Sequence, residues 1–373
     1  MKRMAVLLAP VAVVLATLAC APEARPATPT ADVVATQVAG TLAAVPTPTS
    51  TMVLPTPTPA LAPARLRWMA YMGSGRQIWS MAEATAYLTD LPVSIGQYYD
   101  YAPATDRILY ASAFADHGAG PGNLSVSDLA ILDVSTGSVS RLFDDGVVEA
   151  QWAPNGKDFA YILATDTTYE LHWRSADGAD RLLALDVSFT WSISPDGGRV
   201  AFTRESGYLN PASLGLYVVP ASDGMAIRVS SADKSGTGSI DDQPFWSPDG
   251  ETVLLPLWSG PETSRLVLAR SDGGGEVDLA IDPAYASNWW YTLTIPRFLW
   301  HPDGEHLVAL PAVSHDEMGG PSPLVLYRLD RVTNTLTDAA MFGEAATLIA
   351  WNVPGESVWV MSANGAVESL SLP

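Results

Sequence analysis

Three stretches of this 373-residue chain carry side chains suited to recognition or chemistry. Asn288-Trp289-Trp290-Tyr291 concentrates aromatic surface that can stack on a sugar or an apolar peptide side chain, and that can equally plug a central channel. Asp233 to Asp242 mixes carboxylates with glycines, the hard-oxygen chemistry of calcium. Without the alternating oxygen ligands of an EF-hand it reads as a flexible acidic loop. His315-Asp316-Glu317 offers donors and acceptors for metal or acid–base chemistry, in a stretch where neighbouring polar residues ordinarily face water. Catalytic signatures are otherwise missing from the sequence: there is no Gly-x-Ser-x-Gly elbow, no phosphate-cradling Gly-x-x-x-x-Gly-Lys motif and no His-Glu-x-x-His. Five scattered histidines do not suggest a histidine-rich metal site, so neither a cofactor nor a bound metal is expected.

The elements that must position these stretches announce themselves by repetition. Trp152-Ala153-Pro154-Asn155-Gly156, Ile193-Ser194-Pro195-Asp196-Gly197, Trp246-Ser247-Pro248-Asp249-Gly250 and Trp300-His301-Pro302-Asp303-Gly304 are copies of one turn. Tyr101-Ala102-Pro103 and Trp351-Asn352-Val353-Pro354-Gly355 are worn copies, and successive copies lie 51, 41, 53, 54 and 51 residues apart. Seven residues after each of the first five prolines comes an apolar strand residue: Tyr110, Tyr161, Phe202, Leu255 and Ala309. Further apolar stretches follow, most ending in Asp-Gly turns such as Ser175-Ala176-Asp177-Gly178 and Ser222-Asp223-Gly224. The unit is therefore four antiparallel strands, with the proline turn between the first and second and the Asp-Gly turn between the third and fourth.

Four-stranded units at a period near 50 predict an all-β propeller. Second strands starting near Trp68, Ile108, Phe159, Val200, Val253, Leu307 and Val358 favour seven blades over six. The last blade lacks an outer strand in this count, and a segment around Met52 to Leu54 is expected to supply it and close the ring. The Trp/Ser-Pro-Asp-Gly pattern, across residues 64–373, resembles the repeats of TolB-type propellers, which also occur in the propeller domains of prolyl oligopeptidase relatives. Trp152, Trp246, Trp300 and Trp351 read as wedges between blades, and Asp196, Asp249 and Asp303 as turn hydrogen bonders rather than ligands.

In such a unit the first-to-second and third-to-fourth turns share one face, and all other connections share the opposite one. The long insertions 113–127, 205–213, 231–243, 282–294 and 311–322 all belong to the opposite face, which marks it as the candidate binding face. Its candidate ligand-binding residues are Trp258, Trp289, Trp290, Tyr291, Tyr208, Asp241, Asp242, His315 and Asp316, with no catalytic residue among them.

The N-terminal stretch gives an address. Lys2 and Arg3 precede an apolar run from Met4 to Leu18, too short for an ordinary spanning helix, closed by Ala19-Cys20. This resembles a bacterial lipoprotein signal, with Thr17 standing where that family usually has leucine, and the resemblance implies lipidation at Cys20, the only cysteine. Residues 1–19 are thus expected to be a signal peptide, 20–63 a Pro/Thr-rich tether of polyproline character, and 64–373 the propeller. Acidic residues outnumber basic ones 40 to 20, which opposes nucleic-acid binding.

Together these features lead to a monomeric, lipid-anchored, extracytoplasmic module of the bacterial cell envelope, binding a protein, peptide or glycan without catalysis. The alternative is a propeller hydrolase or lyase using a cation and acidic residues near the channel. Cys20→Ala is expected to abolish incorporation of a fatty-acid label and to release the chain from the membrane fraction. Undiminished labelling of that variant would remove the anchor from the account.

Overall fold

The computed structural model describes residues 67–72, 75–80, 85–87, 97–112, 118–119, 124–204, 215–231, 243–258, 264–281, 297–310, 322–345, 347–361 and 367–373. All of its regular elements are strands, and no helix among the described residues is long and apolar enough to cross a membrane. The tether, the signal and the proposed closing segment at 52–54 lie outside the described residues.

β1 (Arg67–Met72), β2 (Gly75–Ser80) and β3 (Thr85–Tyr87) form an antiparallel sheet in that order. β4 (Gln97–Ala102) and β5 (Arg107–Ala111) follow, then a two-stranded hairpin of β6 (Gly118–Ala119) and β7 (Leu124–Ser125) within a stretch expected to be loop. β8 (Ser127–Asp133) pairs with β5 and with the first half of β9 (Val139–Trp152). β10 (Phe159–Ala164), β11 (Tyr169–Arg174) and β12 (Asp180–Leu185) continue outward from the second half of β9.

The next meander is β13 (Trp191–Ile193), β14 (Arg199–Arg204), β15 (Gly215–Pro220) and β16 (Ile227–Ser230), a separate four-stranded antiparallel sheet in sequence order. β17 (Phe245–Trp246), β18 (Thr252–Trp258), β19 (Ser264–Arg270) and β20 (Glu276–Ile281) repeat the pattern, as do β21 (Arg297–Trp300), β22 (His306–Leu310), β23 (Ser322–Asp330) and β24 (Thr335–Ala345). These two meanders are joined at their outer strands by a short parallel pairing of Ala280 with Thr335 and Ile281 with Leu336. β25 (Thr347–Val353), β26 (Ser357–Met361) and β27 (Val367–Ser371) close the described chain.

Second strands are buried on both faces, which explains why they read as unbroken apolar runs rather than alternating ones. Val200, Ala201, Phe202 and Thr203 of β14 are all nearly inaccessible. One face of β14 packs with Ile162, Leu171 and Trp173 of the preceding meander, and the other with Trp246, Val253 and Leu255 of the following one. The same arrangement recurs between Leu109 and Phe159, between Leu254 and Phe298, and between Val308 and Val358. The core thus lies in the seams between neighbouring sheets, where burying each large side chain contributes roughly 1.5–3 kcal/mol.

Polar seams repeat with the same period. The indole N–H of Trp246 donates to the Ser192 carbonyl (3.2 Å), that of Trp300 to Phe245 (3.2 Å) and that of Trp351 to Trp300 (2.9 Å). On the turns, Thr105 Oγ1 donates to the Gly156 carbonyl (2.7 Å), and Arg199 Nη2 to the Gly250 carbonyl (2.8 Å). Within each unit, the proline turn is tied to the end of the third strand: Ala221 N–H to Gly198 O, Ser271 N–H to Glu251 O and Leu329 N–H to Glu305 O. This fixes the proline and Asp-Gly turns at one end of the sheets.

One departure from the expected unit is β9. A single 14-residue strand serves as the outermost strand of one meander and the innermost of the next. It bends at Gly146 (φ 89°), where a Cβ would stand 3.1 Å from Leu163 Cδ1, so the left-handed backbone and the close approach both require glycine.

The indole seam makes a contrast that can be measured. Trp152 Nε1 is buried and has no hydrogen-bond partner among the described residues, whereas Trp246 Nε1 has one. Trp246→Phe is expected to lower unfolding stability by about 1–2 kcal/mol more than Trp152→Phe, because only the former strands a buried carbonyl. Urea titration of both variants tests this, and equal losses would show that the indole bond contributes nothing.

Candidate functional site

The described part of the predicted binding face is its strand framework. Trp258 is the last residue of β18 and pairs with Ser264 across the sheet. Tyr208, Asp241, Asp242, Trp289, Trp290, Tyr291, His315, Asp316 and Cys20 lie outside the described residues. Their segments leave and re-enter the fold at described strand ends: 205–214 joins β14 to β15, 231–244 joins β16 to β17, 282–296 joins β20 to β21, and 311–321 joins β22 to β23. All four connections start and finish at the end of the sheets away from the proline turns. The connections at the proline-turn end are short, spanning 194–198, 247–251 and 301–305.

Two clusters of titratable groups stand out among the described side chains. The first joins neighbouring innermost strands. Asp100 of β4 accepts the N–H of Tyr101 (2.8 Å) and, across the seam, the N–H of Trp152 (2.8 Å). Glu149 of β9 accepts the indole N–H of Trp191 (2.9 Å) on the next innermost strand. Burial pushes both carboxyls up to about 7. The hydrogen bonds received by Asp100 and Glu149 oppose that rise without cancelling it, and the Asp100 charge adds to it at Glu149. Both residues keep some exposed surface, although the protein packed around their carboxyls favours the neutral form. Two carboxyls poised near neutrality can store or pass a proton, and here they also tie three successive units together.

The second cluster lies in the turn between β21 and β22. One oxygen of Asp303, Oδ2, is 2.8 Å from His301 Nδ1 and 2.7 Å from His306 Nδ1. The other, Oδ1, accepts the N–H groups of Glu305 (2.7 Å) and His306 (3.0 Å). Burial would raise the Asp303 pKa, but the Glu305 and His306 N–H groups and the two imidazoles outweigh it and hold the carboxyl down at about 2. His301 Nε2 lies 3.3 Å from the Gly355 carbonyl of the next unit, and its ring meets Trp351 edge-on at 5.5 Å. Among the described residues these three side chains form the group whose donor atoms could hold a metal ion, all within 4.8 Å of one another. Spacing alone hid them: Asp303 matches the turn aspartates Asp196 and Asp249, whose neighbours are Ser194 and Ser247. The available signal was the replacement of that serine by His301, together with His306 at the start of the following strand.

No family model matches the sequence, and no curated protein matches it. Among solved structures, the chain is similar to the tricorn protease at TM-score 0.50 and 12% identity, covering 80% of this chain and 31% of that one. The chain therefore spans about a third of that protein's length. TolB from Acinetobacter baumannii aligns at TM-score 0.40 and 14% identity, covering 82% of this chain and 79% of that one. The β-propeller domain of the Trilobed protease from Pyrococcus furiosus aligns at TM-score 0.43 and 10% identity, covering 72% and 78%. The likeness to the tricorn protease is one of fold, an all-β array of antiparallel meanders.

Glu149 makes stability depend on pH with a definite sign. Its folded pKa lies above the unfolded value near 4, so the folded state holds its proton more tightly. That contribution is complete below about pH 4 and is lost as pH rises towards about 7. Glu149→Gln keeps an acceptor for the Trp191 indole and removes the charge, and it is expected to raise the thermal midpoint at pH 8 while changing it little at pH 4. A midpoint lowered equally at both values would contradict the assigned burial effect.

Proposed function

We propose that this chain is a lipid-anchored, extracytoplasmic propeller of seven four-stranded blades that acts as a non-enzymatic binding or scaffold module. In this reading residues 1–19 are removed as a signal peptide, Cys20 carries the lipid, 20–63 holds the head away from the membrane of a bacterial cell envelope, and 64–373 is the propeller, working as a monomer. The partner is a protein, peptide or glycan.

The observation that carries the reading is the inequality of the two sheet ends. At the proline-turn end the connections are short and densely tied by backbone bonds, such as Ser271 N–H to Glu251 O. At the other end, the longer segments 205–214, 231–244, 282–296 and 311–321 leave and rejoin the described strands at one edge of the framework, and their sequences carry Tyr208, Asp241, Asp242, Trp289, Trp290, Tyr291, His315 and Asp316. Variable, residue-rich connections on a rigid repeated scaffold are how binding surfaces are built on such folds. Trp289, Trp290 and Tyr291 supply stacking surface there, Trp258 ends a strand at the same edge, and Tyr208, Asp241, Asp242, His315 and Asp316 supply polar selectivity.

The test is binding of the detergent-purified full chain to glycan and peptide arrays, alongside a Trp289→Ala/Trp290→Ala double variant. The expected result is a defined set of bound glycans or peptides whose affinity falls at least about tenfold in the variant, the loss typical of removing aromatic anchors. Unchanged affinity would discard the aromatic platform, and turnover of a bound glycan or peptide would replace the binding module with an enzyme.

A further inference from the structure

The turn of His301, Asp303 and His306 does more than its sister turns require. In the turns at 194–199 and 247–252, a serine hydroxyl caps the aspartate (2.5 Å in each) and accepts a backbone N–H, and the turn is complete. At 301–306 the same backbone path carries two imidazoles instead, both aimed at one carboxylate oxygen. Closing the turn does not explain the change, because serine does that elsewhere in this chain.

The protonation pattern sharpens the point. The Gly355 carbonyl can only accept, so His301 Nε2 must carry the hydrogen that binds it. The equivalent seam positions are filled by donors as well, Thr105 Oγ1 on Gly156 and Arg199 Nη2 on Gly250. A neutral His301 with hydrogen on Nε2 has a bare lone pair on Nδ1. That atom accepts the Asp303 N–H (3.2 Å) and also lies 2.8 Å from Asp303 Oδ2, another lone-pair atom. Two acceptors at that distance need a positive species between them, either a second ring proton or a metal ion. The contact from His301 Nε2–H to a backbone carbonyl is the outer support that orients metal-bound imidazoles. Gly355 allows it at φ 80°, since a Cβ there would come within 3.0 Å of His301 Nε2.

We propose that His301 Nδ1, Asp303 Oδ2 and His306 Nδ1 bind a divalent transition-metal ion of the zinc class, leaving a fourth position for water or an anionic group. Two imidazoles and one carboxylate are borderline ligands that suit zinc, cobalt, nickel or copper and not calcium or magnesium, which take oxygen sets. Tetrahedral zinc holds neighbouring N and O ligands roughly 3.3 Å apart, so the observed 2.7 and 2.8 Å separations need to open by roughly half an ångström. His301 and His306 are partly buried, Asp303 is exposed, and the adjoining Glu305 is exposed. Arg331, the neighbouring cation, is held on the Gly304 carbonyl at 2.9 Å. The site is at the proline-turn end, so it stands or falls independently of the ligand-binding edge proposed above.

The experiment is calorimetric titration of the detergent-purified full chain with zinc chloride, repeated with cobalt and calcium chlorides. The comparison protein is a His301→Ser/His306→Thr double variant, which installs the residues found at Ser247 and Thr252 and therefore keeps a turn this fold already contains. The expected outcome is one zinc ion per chain, a visible cobalt absorption of tetrahedral character, and affinity at least about tenfold weaker in the variant. Equal zinc affinity in both proteins, no binding by the natural sequence, or a response to calcium alone would each overturn the proposal. A thermal midpoint for the variant within a few degrees of the natural chain confirms that it folds. If it does not fold, His306→Asn, which removes a single ligand, carries the same test.

Discussion

The geometry of this protein hangs on a carbonyl group at the tip of three of its proline turns and the donor that the preceding unit sends to each. Thr105 reaches Gly156, Arg199 reaches Gly250 and His301 reaches Gly355, in each case crossing from one meander to the next. The turn leaves that carbonyl outside its own strand ladder, and the neighbour's donor satisfies it where the sheets pack, alone or, at Gly250, beside Ser271 Oγ of the same unit. The donor fixes how far one unit slides along the next. The tryptophan indoles then set the spacing of the inner strands, and Arg199 adds its guanidinium over the Trp246 ring at 5.3 Å. Apolar burial drives the sheets together without direction; these bonds give the stack its register.

Much of this was legible in the sequence because proline and glycine leave the backbone few choices. Strands begin at Arg107, Phe159, Arg199, Thr252, His306 and Ser357, each within one residue of the positions read from the turn repeat. What escaped were features that depend on a neighbour in space. Nothing local distinguishes Gly146 from a turn glycine, so the continuous path of β9 through two units was not visible. The parallel contact of Ala280 and Ile281 with β24 joins segments more than fifty residues apart. The histidines at 301 and 306 lay in plain view, but their meaning came from comparing one turn with its sisters, where Ser194 and Ser247 show what the backbone needs. The long connections all begin and end at strand termini on one edge of the sheets, a placement that follows from strand order rather than from any local motif.

The two ends of the sheets are consequently different chemical environments on one scaffold. At the proline-turn end, charge is organised into short-range bonds: Asp303 between two imidazoles, Asp196 and Asp249 under serines, Asp133 held below its ordinary range by Ser135 and Thr136. Deeper, on the innermost strands, Asp100 and Glu149 are pushed the opposite way by burial. The same residue type thus sits near pKa 2 in a turn and near 7 beside the inner strands, which separates permanent negative charge from carboxyls able to exchange protons.

The shared strand β9 has a bearing on how the chain comes apart. The four-stranded sheet β13–β16 shares no strand with a neighbour, so it can separate once its side-chain seams yield. The sheets on either side of Gly146 cannot part without rupturing a continuous ladder from β4 to β12. Separating the described sheets therefore leaves the units on either side of Gly146 together as one piece, because a backbone ladder and not only side-chain packing joins them.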